Sequence, residues 1–228
     1  KRAMKGKKAV FCGDIGCYTL GNAMPLDMVD TCLCMGAGIT MAQGFSHLDP
    51  DSVCFAFVGD STFFASGMTG VVNALYNEAD LILVVLDNST TAMTGHQPHP
   101  GTGRTMMGHV VEKIDIESVL RGMGVRTVLT ADPLDHEHAV EAVRTCAEGT
   151  GVRAILFRSP CIALSRPKNR CAVDPDLCIG CSTCIQEIGC PALKFADSAA
   201  FIDPNLCTGC GLSGCICPVG AIGGDTDE

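Results

Sequence analysis

Residues 53–61 read VCFAFVGDS and residues 81–88 read LILVVLDN. In each, six unbroken apolar residues lead into a polar pair. A run this short, with no polar alternation, is the pattern of a strand buried on both faces, as in a parallel sheet. Each strand then delivers an oxygen-bearing side chain at its carboxyl end, Asp60 in one and Asn88 in the other. In open parallel sheets ligands bind outside that edge. One carboxylate and one amide are hard oxygen ligands, suited to Mg2+ carrying a diphosphate.

Working outward, residues 10–12 are a short apolar strand that runs into Gly13-Asp14-Ile15-Gly16. Residues 33–48 (LCMGAGITMAQGFSHL) carry small and apolar residues at helical spacing. Gly36, Ala37 and Gly38 at their start allow a helix amino end to approach a ligand or another helix closely. Residues 62–76 (TFFASGMTGVVNALY) repeat apolar positions at three and four, so they are expected to form a helix whose amino end faces the Asp60 edge. Beyond residue 115 the pattern is helix, strand (125–129), helix (133–146) and strand (153–157). Alternation at this rhythm implies an α/β fold with a doubly wound parallel sheet over residues 1–160. Residues 159–170 carry two prolines and several basic residues, and 161–170 form a linker to a small α+β domain over residues 171–228.

That second segment is dominated by cysteine. Cys178-x2-Cys181-x2-Cys184-x5-Cys190-Pro191 is followed by Cys207-x2-Cys210 and then Cys217-Pro218. Two CxxC-based runs, each ending in Cys-Pro, resemble a bacterial-type ferredoxin domain with two [4Fe-4S] clusters. The resemblance assigns Cys178, Cys181, Cys184 and Cys217 to one cluster and Cys190, Cys207 and Cys210 to the other. The second run has Ser213 at its third ligand position and a cysteine two residues later. The expected fourth ligand is therefore Cys215, thiolate being softer than hydroxyl, with Ser213 ligation or a three-iron cluster as the open alternatives. Structural zinc would not explain the paired Cys-Pro endings.

The composition narrows the function classes. A net charge of −9 disfavours nucleic acids and anionic membrane surfaces as partners, since both are polyanions. Five of the sixteen basic residues fall in the first eight positions, and a solvated start accounts for them. No apolar stretch reaches the length of a membrane span. Eight of the sixteen cysteines fall in the last fifty-one residues in metal-type spacing, which implies a reducing, cytoplasmic setting rather than a disulfide scaffold.

Residues 89–104 form a polar loop containing His96, Gln97, His99 and two prolines, the kind of segment that shapes a substrate pocket. Gly59-Asp60-Ser61 followed by Asp87-Asn88 resembles the GDG…NN diphosphate signature of thiamine diphosphate enzymes. Ser61 and Asp87 are its two departures. With residues 13–21 (GDIGCYTLG) and 91–98 (TAMTGHQP), the chain is similar to the 2-oxoacid:ferredoxin oxidoreductases, and most to the large subunits of the indolepyruvate type, over residues 10–222. The resemblance implies thiamine diphosphate and Mg2+, with the cation held by Asp60, Asn88 and the Thr90 carbonyl. Asp14, Ile15, Gly16, Cys17, Gly36, Ala37, Gly59 and Ser61 are expected around the cofactor. His96, Gln97 and Cys17 are expected near the substrate. The implied reaction is oxidative decarboxylation of an arylpyruvate such as indolepyruvate to acyl-CoA and CO2, with electrons passing through the clusters to ferredoxin. Pyruvate, 2-oxoglutarate or branched-chain acids are alternative substrates, and a non-catalytic electron carrier is the alternative class. No pyrimidine-binding domain is recognisable. The chain is therefore expected to need a partner carrying that domain, together with a smaller β subunit, before it turns over coenzyme A and a 2-oxoacid.

Overall fold

A computed structural model describes residues 1–164 and 170–224. The apolar runs form the centre of a five-stranded, wholly parallel sheet. The chain order is β1 (Ala9–Cys12), α1 (Ala37–Leu48), β2 (Val53–Gly59), α2 (Asp60–Thr62), a π-helical turn at Phe63–Gly67, α3 (Met68–Tyr76), β3 (Leu81–Asp87), α4 (Ile116–Met123), β4 (Thr127–Ala131), α5 (His136–Glu148) and β5 (Val152–Arg158). The strands lie in the order β1-β2-β3-β5-β4. Val58 is opposite Val85, and Gly59 opposite Leu86, so the polar ends of β2 and β3 emerge side by side.

Helices cover both faces. Ile39 and Ala42 of α1, Val71 and Ala74 of α3 and Leu120 of α4 pack with Val58, Leu83 and Leu156 on one face. Ala142 and Cys146 of α5, with Met4, pack with Phe55, Val84 and Ile155 on the other. The crossovers explain this division. β1 to β4 are laid down in one direction across the sheet, and the return to β5 runs the opposite way. Right-handed connections therefore put α5 on the opposite face. Phe11 and Phe55 stack at 5.2 Å across β1 and β2 on that face. Burial of a side chain such as Phe55 contributes about 2–3 kcal/mol.

Several element bounds differ from the expected ones for local reasons. The helix expected over 62–76 starts at Asp60 rather than Thr62, because Gly59 is extended and Asp60 enters the helix at once. Between α2 and α3 the helix passes through the π turn, an insertion commonly found at functional sites. β4 starts two residues late. Gly124 is left-handed (φ +108°), and the N–H groups of Gly124 and Val125 donate to Arg121 and Leu120, so Val125 closes the helix instead of opening the strand.

Residues 171–224 form a small α+β unit. β6 (Cys171–Val173) is followed by α6 (Thr183–Ile188), β7 (Leu193–Ala196), β8 (Ala199–Ile202), α7 (Leu212–Ile216) and β9 (Ile222–Gly224). β6 pairs antiparallel with β9, and β7 with β8. Cys184, Leu193, Ala200 and Ile222 are its buried core, with Cys178, Cys190 and Cys217 packed against them. The expected linker, 161–170, includes residues 165–169, which lie outside the described residues. Among the described residues no helix is long and apolar enough to cross a membrane.

Candidate functional site

The carboxyl ends of β1, β2 and β3 enclose a cleft of about 80 Å³. Asp60 is its fixed point. The carboxylate is 2 % exposed, with Oδ1 accepting from the Ser61 N–H at 2.8 Å and Oδ2 from the Ser89 N–H at 2.7 Å. His99 Nε2 is a third partner, 3.1 Å from Oδ2. Ser61 Oγ accepts from Thr91 Oγ1 at 2.8 Å, so the residue standing in place of the signature glycine ties the β2 edge to the loop after β3. Asn88 Oδ1 accepts from the Thr90 N–H, and the Thr90 carbonyl accepts from Ala92.

A second carboxylate organises the β1 side. Asp14 is fully buried, accepting from Tyr18 Oη at 2.6 Å and from the Gly36 N–H at 2.8 Å. Tyr18 Oη in turn accepts from the Gly59 N–H at 2.8 Å. One phenol thus spans β1 and β2. Burial first, and then Asp14, push the Tyr18 phenol well above the usual tyrosine range. Gly36, at φ +85°, occupies a left-handed position before α1. A methyl group on Gly38 would come within 2.7 Å of the Gly13 carbonyl, so α1 reaches the β1 edge only because this residue has no side chain.

Of the expected cofactor residues, Ile15, Gly16, Cys17, Gly59, Asp60, Ser61, Asn88 and Thr90 line the cleft. Asp14 and Gly36 support it from behind, and Ala37 begins α1 beside them. His96 and Gln97 are outside its lining. His96 Nε2 lies 3.9 Å from Cys161 Sγ, and Gln97 bonds Thr94. The buried histidine of this loop is His99, under the Phe64 ring at 5.8 Å. Two prolines flank it, a signal of a fixed backbone that singles it out from His96. Tyr18 lay inside the quoted motif without being assigned a task.

Asp87 turns away from the cleft. Its carboxylate accepts from Arg158 Nε at 3.2 Å, and Arg158 also donates to Asp115 at 2.8 Å. Burial, then the Asp60 charge, raise the Asp87 carboxyl above the ordinary range, while Arg158 pulls it back. These groups border a separate cavity of about 290 Å³.

In the small unit, Cys184 has Cys217 and Cys181 as neighbours, and Cys178 and Cys217 pack on the same core. Cys190, Cys207 and Cys210 line a second cleft, of about 40 Å³, which Ser213 also lines. Cys215 is exposed and borders a surface groove with Arg2, His136 and Arg144. Among the described residues no three His, Cys, Asp or Glu side chains converge closely enough to hold a single ion.

Comparison with known proteins bears on the sheet and its edge. The chain is 42 % identical over 221 residues to the indolepyruvate oxidoreductase subunit IorA of Archaeoglobus fulgidus, covering 94 % of this chain and 35 % of the relative. It is 40 % identical to the subunit of the same name from Methanothermobacter thermautotrophicus, covering 96 % of this chain and 36 % of that one. The chain thus spans about a third of the length of these relatives. A 2-oxoglutarate:ferredoxin oxidoreductase structure from Magnetococcus marinus shares the fold, with TM-score 0.62 and 19 % identity over 72 % of this chain and 60 % of that one. Residues 14–156 match the family model of the thiamine pyrophosphate enzymes' C-terminal TPP-binding domain, and the chain belongs to that family.

Proposed function

We propose that this chain supplies the thiamine diphosphate site and the electron exit of an indolepyruvate:ferredoxin oxidoreductase. In this reading an arylpyruvate is oxidatively decarboxylated to acyl-CoA and CO2, and electrons leave through iron–sulfur clusters to ferredoxin. The observation that carries it is the cleft at the ends of β2 and β3, where Asp60 and Asn88 meet in a chain that also groups the cysteines of two Cys-Pro runs. Similarity to the IorA subunits supports the indolepyruvate type.

The donor set fits the cofactor. Asp60 and Asn88 offer hard oxygens, and the Thr90 carbonyl keeps a lone pair beyond its bond from Ala92, so these three would hold Mg2+. Bound there, thiamine diphosphate supplies the electron sink that decarboxylation of a 2-oxoacid requires. The Ser61, Ser89 and His99 bonds fix the Asp60 carboxylate in advance, which lowers the ordering cost of binding. Ile15, Met35, Leu86 and Met93 give the cleft apolar walls that limit water. Cys17 borders the same cleft and is assigned to the substrate side. His96 and Gln97 keep that assignment for the outer part of their loop.

Residues 171–224 would act as a bacterial-type ferredoxin module. Cys178, Cys181, Cys184 and Cys217 would hold one [4Fe-4S] cluster, and Cys190, Cys207 and Cys210 three corners of the other. The aminopyrimidine site is assigned to a partner region, with a smaller β subunit completing the complex.

The test is anaerobic reconstitution with the partner region, thiamine diphosphate, Mg2+ and coenzyme A, following reduction of a low-potential acceptor. Indolepyruvate should drive reduction, and Asp60→Ala should abolish it. Preference for pyruvate would overturn the aryl assignment. Clusters that assemble but accept no electrons from any 2-oxoacid would make the chain an electron carrier.

A further inference from the structure

We propose that Cys171 is the fourth ligand of the second cluster, completing the set Cys190, Cys207 and Cys210 at the place where the second cysteine run carries Ser213. The inference rests on the ferredoxin-module reading of residues 171–224.

Cys171 lies outside both CxxC runs, and spacing alone gives it no role. The fold brings it in. It opens β6, which pairs with β9 at Gly224, so its backbone is held in a ladder. Its N–H donates to Cys207 Sγ at 3.4 Å, a contact that places the start of β6 directly against a ligand sulfur. Its side chain lines the same cleft as Cys190, Cys207 and Cys210. Ser213 lines that cleft too, so the serine at the usual ligand position and the cysteine from upstream border the same space.

Cys215 does not share the cleft. It is exposed and opens onto the groove formed with Arg2, His136 and Arg144. Cys215 sits on α7 and borders that groove, whereas Cys171 already lines the cleft of Cys190, Cys207 and Cys210. A thiolate is also the better ligand for iron beside sulfide than a serine oxygen, which must first lose a proton of much higher pKa. A four-iron cluster spreads its ligands over separate corners, so the sulfurs need not converge as they would around one zinc ion.

The full chain is reconstituted anaerobically as wild type, Cys171→Ser, Cys171→Ala, Ser213→Ala and Cys215→Ser, and assayed for iron, sulfide and electron paramagnetic resonance. Wild type, Ser213→Ala and Cys215→Ser should each hold two four-iron clusters. The Cys171 variants should fall from about eight to about seven iron atoms per chain and show the signal of an oxidised three-iron cluster. Full iron content in Cys171→Ala, or loss of iron in Cys215→Ser or Ser213→Ala, would overturn the assignment. A wild-type chain that takes up no cluster would overturn the module reading, and the assignment with it. Thiol alkylation of the wild type needs no variant to fold. Cluster loading should increase protection of Cys171 and leave Cys215 reactive, and the reverse pattern contradicts the assignment.

Discussion

His99 Nε2 sits 3.1 Å from Asp60 Oδ2 while His99 Nδ1 accepts the Gly101 N–H. Since Nδ1 is the acceptor, Nε2 carries the proton and donates to the carboxylate. The imidazole therefore holds Asp60 in orientation without competing for a cation, as outer partners of metal ligands do. His99→Ala should weaken Mg2+-dependent binding of thiamine diphosphate about 10–100-fold by calorimetry. His99→Gln, which keeps a donor, should recover part of that loss. Equal affinity in all three proteins would remove His99 from the site.

The chain has two tyrosines and no tryptophan, so its phenols can be followed individually by ultraviolet absorbance. Tyr76 is 84 % exposed, whereas Tyr18 is tied to Asp14 and Gly59. Tyr18, raised by burial and by Asp14, should stay protonated in the folded chain. Unfolded Tyr18 loses its proton near the ordinary value, so above that pH the unfolded state binds fewer protons and stability falls. The titration should show the Tyr18 phenol ionising only together with unfolding. Tyr18→Phe should remove that step and cost about 1–3 kcal/mol, because Asp14 and the Gly59 N–H lose a buried partner.

Asp87→Asn restores the residue type of the diphosphate signature. Asp87 has a raised carboxyl in the fold, so its ionisation there is disfavoured relative to the unfolded chain. That penalty is absent below the ordinary carboxylate range and complete once pH has risen past the folded value. The substitution should therefore stabilise the cofactor-free chain at neutral pH, and the gain should vanish as pH falls below the ordinary carboxylate range. Urea melts at the two pH values check this. A loss at neutral pH would mean that the Arg158 pair outweighs burial and the Asp60 charge.

Gly38→Ala places a methyl 2.7 Å from the Gly13 carbonyl and 3.0 Å from that of Cys12. Both neighbours are backbone and cannot swing aside, so α1 must retreat from β1. A cost of about 1–3 kcal/mol in denaturant melts is expected, along with weaker cofactor binding, because Gly36 moves off Asp14. An alanine at the exposed Gly44, which has open space around it, should leave binding unchanged and serves as the control.

The sheet and the Asp60–Asn88 edge are legible in the sequence because apolar runs and their polar ends are local signals. The order of the last two strands is not, since nothing local tells β5 to insert between β3 and β4. Tyr18, His99 and Cys171 escaped for the same reason. Tyr18 meets Gly59, His99 meets Asp60 and Cys171 meets Cys207, partners that only the folded chain brings near. The π turn also left no trace, as Phe63 and Phe64 satisfy helical periodicity with or without it. Asp87 matched the pattern by position, yet its partner is Arg158 on the neighbouring strand.

The insertion of β5 between β3 and β4 sets a timetable for synthesis. A chain that has emerged only as far as β4 holds β3, whose first five residues are buried in the finished sheet, with one edge bare. β4 cannot cover it in the native register, because the strand that bridges them comes afterwards. Until Val152–Arg158 clears the ribosome, β3 is an open template for another chain's strand. The cleft residues, the last of them Thr94, are therefore all made well before the sheet beneath them can close. Cofactor capture during translation must wait for residues that touch no cofactor.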